Sequence, residues 1–258
     1  MTAASRRRFA DLVRSEPVDV GLACLLVGAE VEPDLDLDAC LAVLDALAAD
    51  ARAEVPRGAS PAVAAAGLRT ALGGRAGFGG GDDEDVRSSL LHEVLRRRSG
   101  LPILLAVVWC EVAARLEIPC YVLGVPGHVL VGIGDPQDEH VVVDPYRGGT
   151  AVESEPFPAL APHELLLRLL NNVRVLTTRQ ERSLETGRTR LWAVELSLLL
   201  PRHPVLLRRE RGELLVRLGD HLGGAADLEE YASLVEPVDG AEAEAARRDA
   251  RSARARLN

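Results

Sequence analysis

An apolar helix followed at once by three short strands most limits how this chain can fold. Residues 101–110 are apolar on every side, and Pro102 stands where proline favours helix initiation. Such a helix must lie inside a core. Three β-like runs follow, over residues 121–125, 128–133 and 140–144. Because their connections are too short for parallel crossovers, the sequence predicts an α+β fold with an antiparallel sheet.

Helical patterns surround this core on both sides. Upstream, we predict helices over residues 18–30, 36–55, 61–72 and 88–98. Downstream, we predict helices over residues 163–178, 183–200, 204–218 and 225–234. The downstream helices form two pairs that end at Pro201 and Pro237, 36 residues apart. This spacing is close to the roughly 34-residue period of tetratricopeptide repeats and favours a tetratricopeptide-like helical region.

These patterns divide the chain into a mixed domain, a helical region and a tail. The expected bounds are residues 1–161 for the mixed domain (a helical segment over 1–72, a loop over 73–87 and a core over 88–161), 162–238 for the helical region and 239–258 for the tail. The tail is rich in Ala, Glu and Arg, and we expect either a frayed charged helix or a disordered segment. The loop contains GGRAGFGGGDDED, but no strand precedes it, no lysine follows it, and its acids would repel phosphate. We therefore interpret it as a loop rather than a phosphate cradle.

The composition excludes several classes of function. The chain has no lysine, which excludes a Walker P-loop and any lysine Schiff base. Its net charge of −9 and its aromatic content of 3% argue against a nucleic-acid or anionic membrane partner. The longest uncharged run, residues 118–134, has 17 residues interrupted by two prolines and four glycines, too short and broken to span a membrane.

The four cysteines give no metal or disulfide pattern. Cys24, Cys40, Cys110 and Cys120 form no CxxC pair, so we expect free thiols, no metal and no cofactor. The basic start of the chain lacks a following apolar segment, so no secretory signal is predicted. Together these features predict a cytoplasmic protein.

Two residues on neighbouring predicted strands form the candidate site, His128 and Asp144. If the hairpin is centred on residue 136, the two lie directly opposite each other on one face. A carboxylate there would fix the imidazole tautomer, as in a general-base dyad, although a purely structural pair is the commoner arrangement. A metal site that adds His140 is excluded, because four residues along a strand separate it from Asp144 by about 13 Å.

The sequence also resembles a known family. The run SSLLHEVLRRRSGLPILLAVVWCEVAARLEIPCYVLGVPGHVLVG, followed by HVVVDPYRGG, resembles the SirB-type branch of the transglutaminase-like superfamily. The resemblance extends from about residue 9 to residue 237 and is most specific around 100–106, 126–128 and 144–149. It implies a papain-like α+β core, with a central buried helix against a small antiparallel sheet and a tetratricopeptide-like tail.

The resemblance also assigns roles to particular positions. Active members carry a cysteine at the start of the central helix, then a histidine and an aspartate on successive strands. Here Pro102 occupies the position of the nucleophile, while His128 and Asp144 match the other two. Proline offers no nucleophile, and Cys110 would lie about 12 Å further along the helix, in apolar surroundings that raise a thiol pKa.

Three hypotheses about function follow. The first is a non-catalytic regulatory or protein-binding module whose helical C-terminal region contacts a protein partner. The alternative is a hydrolase or acyltransferase that uses His128 and Asp144 as a general-base dyad without a cysteine. A third makes the arginines of residues 96–98 or 208–211 a site for an anion or an acidic partner. The sequence leaves the partner and the oligomeric state open.

Overall fold

The computed structural model describes residues 3–82, 84–153, 157–180 and 183–256. The chain divides into two compact units, Met1–Leu169 and Leu170–Asn258, with the division inside one helix. The first unit contains the helices α1 Ala3–Leu12, α2 Val20–Gly28, α3 Leu37–Ala51, α4 Pro61–Leu68, α5 Leu91–Arg97 and α6 Pro102–Arg115. Its strands are β1 Gly79–Gly80, β2 Ser99–Gly100, β3 Cys120–Val125, β4 His128–Gly134, β5 His140–Asp144 and β6 Thr150–Ala151. Helix α7, Pro162–Arg179, contains the division.

A small antiparallel sheet packs on the central helix of the first unit. The strand order is β3-β4-β5-β6, and α6 contacts both β3 and β4. Side chains from Ile103 to Trp109 on α6 are all buried, as the all-apolar sequence predicts. The predicted α+β fold with a buried central helix and an antiparallel sheet is therefore confirmed.

The glycine segment, which begins at Gly73 and contains GGRAGFGGG, differs from the predicted loop. A π-helical turn, Arg69–Arg75, continues directly from α4. After it, β1 pairs in parallel with β2, with Gly79 opposite Ser99 and Gly80 opposite Gly100. The segment thus lies against the residues that immediately precede α6.

The second unit is helical. After the last turns of α7 come α8 Leu184–Leu199, α9 Leu206–Arg217, α10 His221–Val235 and α11 Gly240–Ala255. Helix α8 packs on α9, α9 packs on α10, and α10 packs on α11. Gly212 and Gly224 allow α9 and α10 to approach closely, since a Cβ on Gly212 would lie 2.9 Å from the carbonyl oxygen of Gly224.

The tail, for which we expected a frayed charged helix or disorder, forms a regular helix over Gly240–Ala255. Asp239 caps α11 by accepting a hydrogen bond from the Glu242 backbone N–H. The helix buries one stripe of small side chains against α10: Ala243, Ala246, Ala250 and Ala253. An alanine stripe at helical spacing is a weak apolar signal, and the many charges on the other faces conceal it.

A buried ionic cluster makes the second unit sensitive to acid. Glu210 on α9 is 14% exposed, and its carboxylate accepts hydrogen bonds from Arg174 on α7 and from Arg190 on α8, the latter with Nε 2.6 Å from Oε1. Burial alone would raise the pKa of Glu210, but the two arginines outweigh it and the pKa is lowered. A lowered carboxyl pKa means that this stabilisation is present above the pKa of the unfolded chain and is lost as the pH falls through the folded pKa.

We therefore expect Glu210→Gln to destabilise the protein at neutral pH by about 1–3 kcal/mol, since charge-assisted hydrogen bonds are lost. The loss should shrink as the pH falls through the acidic range, because protonation removes the same interaction from the wild type. Urea unfolding followed by circular dichroism at several pH values measures both effects. Glu213→Gln is the matched control, since Glu213 lies on the same helix, is half-exposed and pairs with Arg209. An equal loss in both variants at every pH would contradict this assignment.

Candidate functional site

The first residue of β4 is the histidine of the candidate site. A two-residue turn, Pro126-Gly127, joins β3 to β4, so that Val125 pairs with His128. Gly127 has a φ of 72°, a conformation that favours glycine. The His128 side chain is 30% exposed, which leaves its imidazole accessible to solvent.

The carboxylate of Asp144, at the end of β5, orients that imidazole. Nε2 of His128 lies 3.0 Å from Oδ1 of Asp144, whose side chain is only 5% exposed. The backbone N–H of Tyr146 donates to the same Oδ1 at 3.0 Å, and Nε of Arg147 lies 3.6 Å from Oδ2. Asp144 also caps the 3-10 turn Pro145–Arg147. A carboxylate held in this way fixes the ring and leaves Nδ1 without a hydrogen-bond partner among the described residues.

The contact agrees with the sequence hypothesis, but the assumed register does not. In the sheet Val131 pairs with Val143 and Gly134 with His140, so the hairpin is centred on residue 137 and not 136. Asp144 is therefore diagonal to His128 rather than directly opposite it, on the same face of the sheet. Tyr146, in the turn after β5, meets His128 edge to face with ring centroids 5.8 Å apart.

Tyr146 connects this histidine to the start of α6. A Cβ on Gly80 would lie 2.4 Å from the Tyr146 ring, so only glycine permits the contact. Gly80 pairs with Gly100, and Pro102 is the first residue of α6, two positions further on. Continuous contacts thus lead from His128 through Tyr146 and the glycine segment to the helix N-terminus. Sequence reasoning missed the role of this segment, for which glycine clustering was the available signal.

The cysteines lie away from the first turn of α6. Cys24 on α2 is fully buried, which raises the pKa of its thiol. Cys40 lies on α3, where burial likewise raises its pKa. Cys110 follows Pro102 by eight residues and Cys120 follows it by 18. The Sγ atoms of these two cysteines are 3.2 Å apart. All four are free thiols, as expected from their spacing.

Most of the arginines proposed as an anion site are paired with acids, and Arg98 instead stacks on an aromatic ring. Arg96 donates to Glu32 and Glu93, Arg97 donates to Asp85, and Arg98 lies over the Phe78 ring. Arg208 and Arg211 both pair with Asp227, and Arg209 with Glu242. These pairs favour the interpretation of both runs as ion-paired faces.

A possible metal cluster is occupied by one of those arginines. Glu32, His92 and Glu93 place three ligand atoms within 4.8 Å of one another, a grouping that the sequence did not suggest. The Arg96 guanidinium donates to both carboxylates at 2.9 Å. Because a fixed positive charge already binds these oxygens, the cluster does not suit a cation. His140, the residue considered for a metal at the dyad, has Nδ1 3.2 Å from the Asp138 carbonyl oxygen instead.

A cleft of about 700 Å³ lies at Arg147, the residue whose Nε is 3.6 Å from Asp144 Oδ2. The guanidinium groups of Arg69, Arg75 and Arg147 line it, together with glycines of the π-helical turn. Arg147 therefore contacts both Asp144 and this cleft.

These features define an α+β domain of the papain-like type, with a histidine–aspartate pair on its sheet and a proline at the start of its central helix. The family profile of the transglutaminase-like superfamily matches residues 38–173, and a tetratricopeptide-repeat profile matches residues 183–258. The chain belongs to the transglutaminase-like superfamily. The second match covers α8 to α11, which includes the helix that we expected to be frayed or disordered.

Bacterial relatives share most of the chain. It is 31% identical over 247 residues to a UPF0162 protein of Xylella fastidiosa, with 86% of each chain covered. It is 32% identical over 248 residues to the UPF0162 protein PA3419 of Pseudomonas aeruginosa, with 93% of this chain and 86% of that protein covered. Within the described residues, no helix is long and apolar enough to cross a membrane.

Proposed function

We propose that this chain is a non-catalytic member of the superfamily, of the SirB-type branch, that acts as a regulatory or protein-binding module. The observation that carries the proposal is Pro102 at the first position of α6. A helix N-terminus activates a thiol there in active members, whereas proline presents neither a thiol nor a hydroxyl. The fold is retained without the group that would attack a substrate.

The histidine–aspartate pair has a structural role that does not need catalysis. Asp144 accepts hydrogen bonds from His128 and from the Tyr146 backbone, and it begins the turn after β5. These bonds connect the end of β5 to the start of β4 and fix the turn that carries Tyr146. Retention of both residues is therefore compatible with a protein that catalyses nothing.

The helical second unit supports a protein partner. Tetratricopeptide-like helix pairs present extended surfaces that commonly bind proteins. Several large apolar side chains are exposed on it and are candidates for contact with a partner. They are Val175, Leu184, Val205, Leu206, Leu222, Leu234 and Val238. We infer that the partner binds through this unit in the cytoplasm, which cell fractionation would check.

A second candidate function rests on the exposed imidazole. His128 is 30% exposed, Asp144 orients it, and Arg147, which lies close to Asp144, lines the arginine-rich cleft. This geometry meets the requirement for a general base that activates water or a bound hydroxyl in a hydrolase or acyltransferase. It needs no cysteine.

A turnover screen separates the two functions. The purified chain is tested on amide and ester substrates beside His128→Ala and a control, His140→Ala, whose exposed histidine lies on β5 of the same sheet. The non-catalytic proposal predicts the same background rate for all three proteins and no His128-dependent adduct on any cysteine with thiol-directed ester probes. Turnover that only His128→Ala loses, typically by 10²–10⁴-fold for a general base, would overturn it in favour of the dyad.

A further inference from the structure

Two cysteines that are ten residues apart in sequence meet in the first unit. Cys110 lies in α6 and Cys120 is the first residue of β3, and their Sγ atoms are 3.2 Å apart without a covalent bond. A disulfide needs an S–S distance of about 2.05 Å, so the sulfurs must approach by only about 1.2 Å. The other cysteines do not compete, because Cys24 is fully buried on α2 and Cys40 lies on α3.

The pair is accessible to a small molecule. Both thiols line a cavity of about 200 Å³, whose wall is otherwise mainly apolar. Its carboxylate, Glu111, is held by the Gly21 backbone N–H and by the Arg115 guanidinium. The size of this cavity and its mainly apolar wall favour a small neutral reagent over a bulky or charged one.

We propose that Cys110 and Cys120 are a modification site at which a peroxide forms an intramolecular disulfide. One thiol releases its proton, and the thiolate attacks a peroxide oxygen. The O–O bond breaks, giving a sulfenic acid and one water. The second sulfur then attacks the sulfenic sulfur, the S–O bond breaks, and a second water leaves. The two sulfurs together lose two electrons, which reduce one peroxide to two waters.

The surroundings set how the reaction depends on pH. The hydrogen bond with Cys120, and then burial, raise the pKa of the Cys110 thiol. A thiolate is the attacking species, so oxidation should accelerate as the pH rises from about 7 to 9. The disulfide would link α6 covalently to the first residue of β3. That residue, Cys120, pairs with Ile133 on β4, the strand that begins with His128.

The absence of lysine makes the product simple to identify. Trypsin cleaves this chain only after arginine, so Cys110 falls in peptide 99–115, Cys120 in peptide 116–147, and Cys24 and Cys40 together in peptide 15–52. The full chain is treated with hydrogen peroxide, its remaining thiols are alkylated in denaturant, and the digest is analysed by mass spectrometry. We expect two of the four thiols to disappear and peptides 99–115 and 116–147 to be joined, with the link removed by dithiothreitol.

Variants test whether the pair acts alone. Cys40→Ala should keep the joined peptides, whereas Cys110→Ala and Cys120→Ala should each lose them. If either of those two variants fails to fold, the tryptic peptide map of the peroxide-treated wild-type protein is sufficient to test the proposal. The proposal is overturned if the four thiols survive peroxide, if Cys110 or Cys120 proceeds to sulfinic acid without a link, or if the links join separate copies of the chain.

Discussion

A Pro102→Cys variant should carry a thiol that is alkylated, near pH 6, about ten times faster than the thiol of a Pro61→Cys variant. Both prolines stand at the first position of a helix, α6 and α4 respectively, and both are half-buried. The helix N-terminus lowers a thiol pKa in each case. Only the α6 position is expected to face an imidazole, which would lower the pKa further. The larger thiolate fraction outweighs the lower nucleophilicity of a more acidic thiol, which leaves a net gain of about tenfold.

Removing His128 tests whether its imidazole is the cause of the faster alkylation. Adding His128→Ala to Pro102→Cys should return the alkylation rate to that of Pro61→Cys, while adding His140→Ala should leave it high. Iodoacetamide labelling followed by fragment-ion sequencing of the peptides assigns the label to residue 102 or 61, and it separates residue 102 from Cys110, which shares peptide 99–115. Equal rates for the two introduced thiols would show that the start of α6 is not a nucleophile position. The non-catalytic proposal would then lose its main support.

Local patterns were sufficient to predict most of the core. The alternation of apolar residues and the Pro126-Gly127 turn located the strands to within one residue of β3, β4 and β5. The all-apolar run after Pro102 likewise identified α6 and its burial. These signals are local in sequence, so one chain suffices to detect them.

The pairing register of β4 and β5 depends on loop geometry that a hydrophobic pattern does not contain. The prediction placed the centre of the β4–β5 hairpin by the bounds of the two runs. In the structure Gly134 adopts a φ of 110° and pairs with His140, and the Asp135 backbone N–H donates to the Glu139 carbonyl oxygen. This loop geometry moves the centre by one residue. His128 and Asp144 still meet, because diagonal neighbours on one face remain within reach of a histidine side chain.

Contacts between distant segments were beyond the sequence. The approach of Cys110 to Cys120 depends on how the chain returns from α6 to β3, and no spacing rule for disulfides or metals includes a ten-residue gap of this kind. The glycine segment is a second case. Its composition predicted a loop, whereas the function of each glycine depends on which residue of another segment faces it.

The glycine segment yields the second large effect. Gly73 lies in the π-helical turn after α4, and a Cβ built on it would be 1.9 Å from the carbonyl oxygen of Gly148. The obstacle is backbone and not a flexible side chain, so it cannot rotate away. Gly148 follows the turn that Asp144 caps, and the Gly149 backbone N–H donates to the Asp144 carbonyl oxygen at 2.8 Å. We therefore expect relief of the clash to move the end of β5, where Asp144 lies.

We expect Gly73→Ala to destabilise the first unit by about 2–4 kcal/mol, the range for forced overpacking against fixed atoms. Each kcal/mol lowers Tm by about 2–4 °C in a chain of this size. Gly74→Ala is the matched control, because the nearest atom to its Cβ is the Arg69 carbonyl oxygen at 3.8 Å, an ordinary contact. Alanine should be neutral or slightly stabilising there, since it replaces glycine in a helical turn.

Differential scanning calorimetry measures both variants, and the imidazole resonances of His128 report on the site. A displaced turn should shift these resonances in Gly73→Ala and leave them unchanged in Gly74→Ala, because only the first substitution presses on the segment that follows Asp144. If both variants melted within about 2 °C of the wild type, the close approach of Gly73 to Gly148 would not be essential to the fold. A large loss of stability without any change at His128 would place the damage in the helical turn itself and separate the glycine segment from the site.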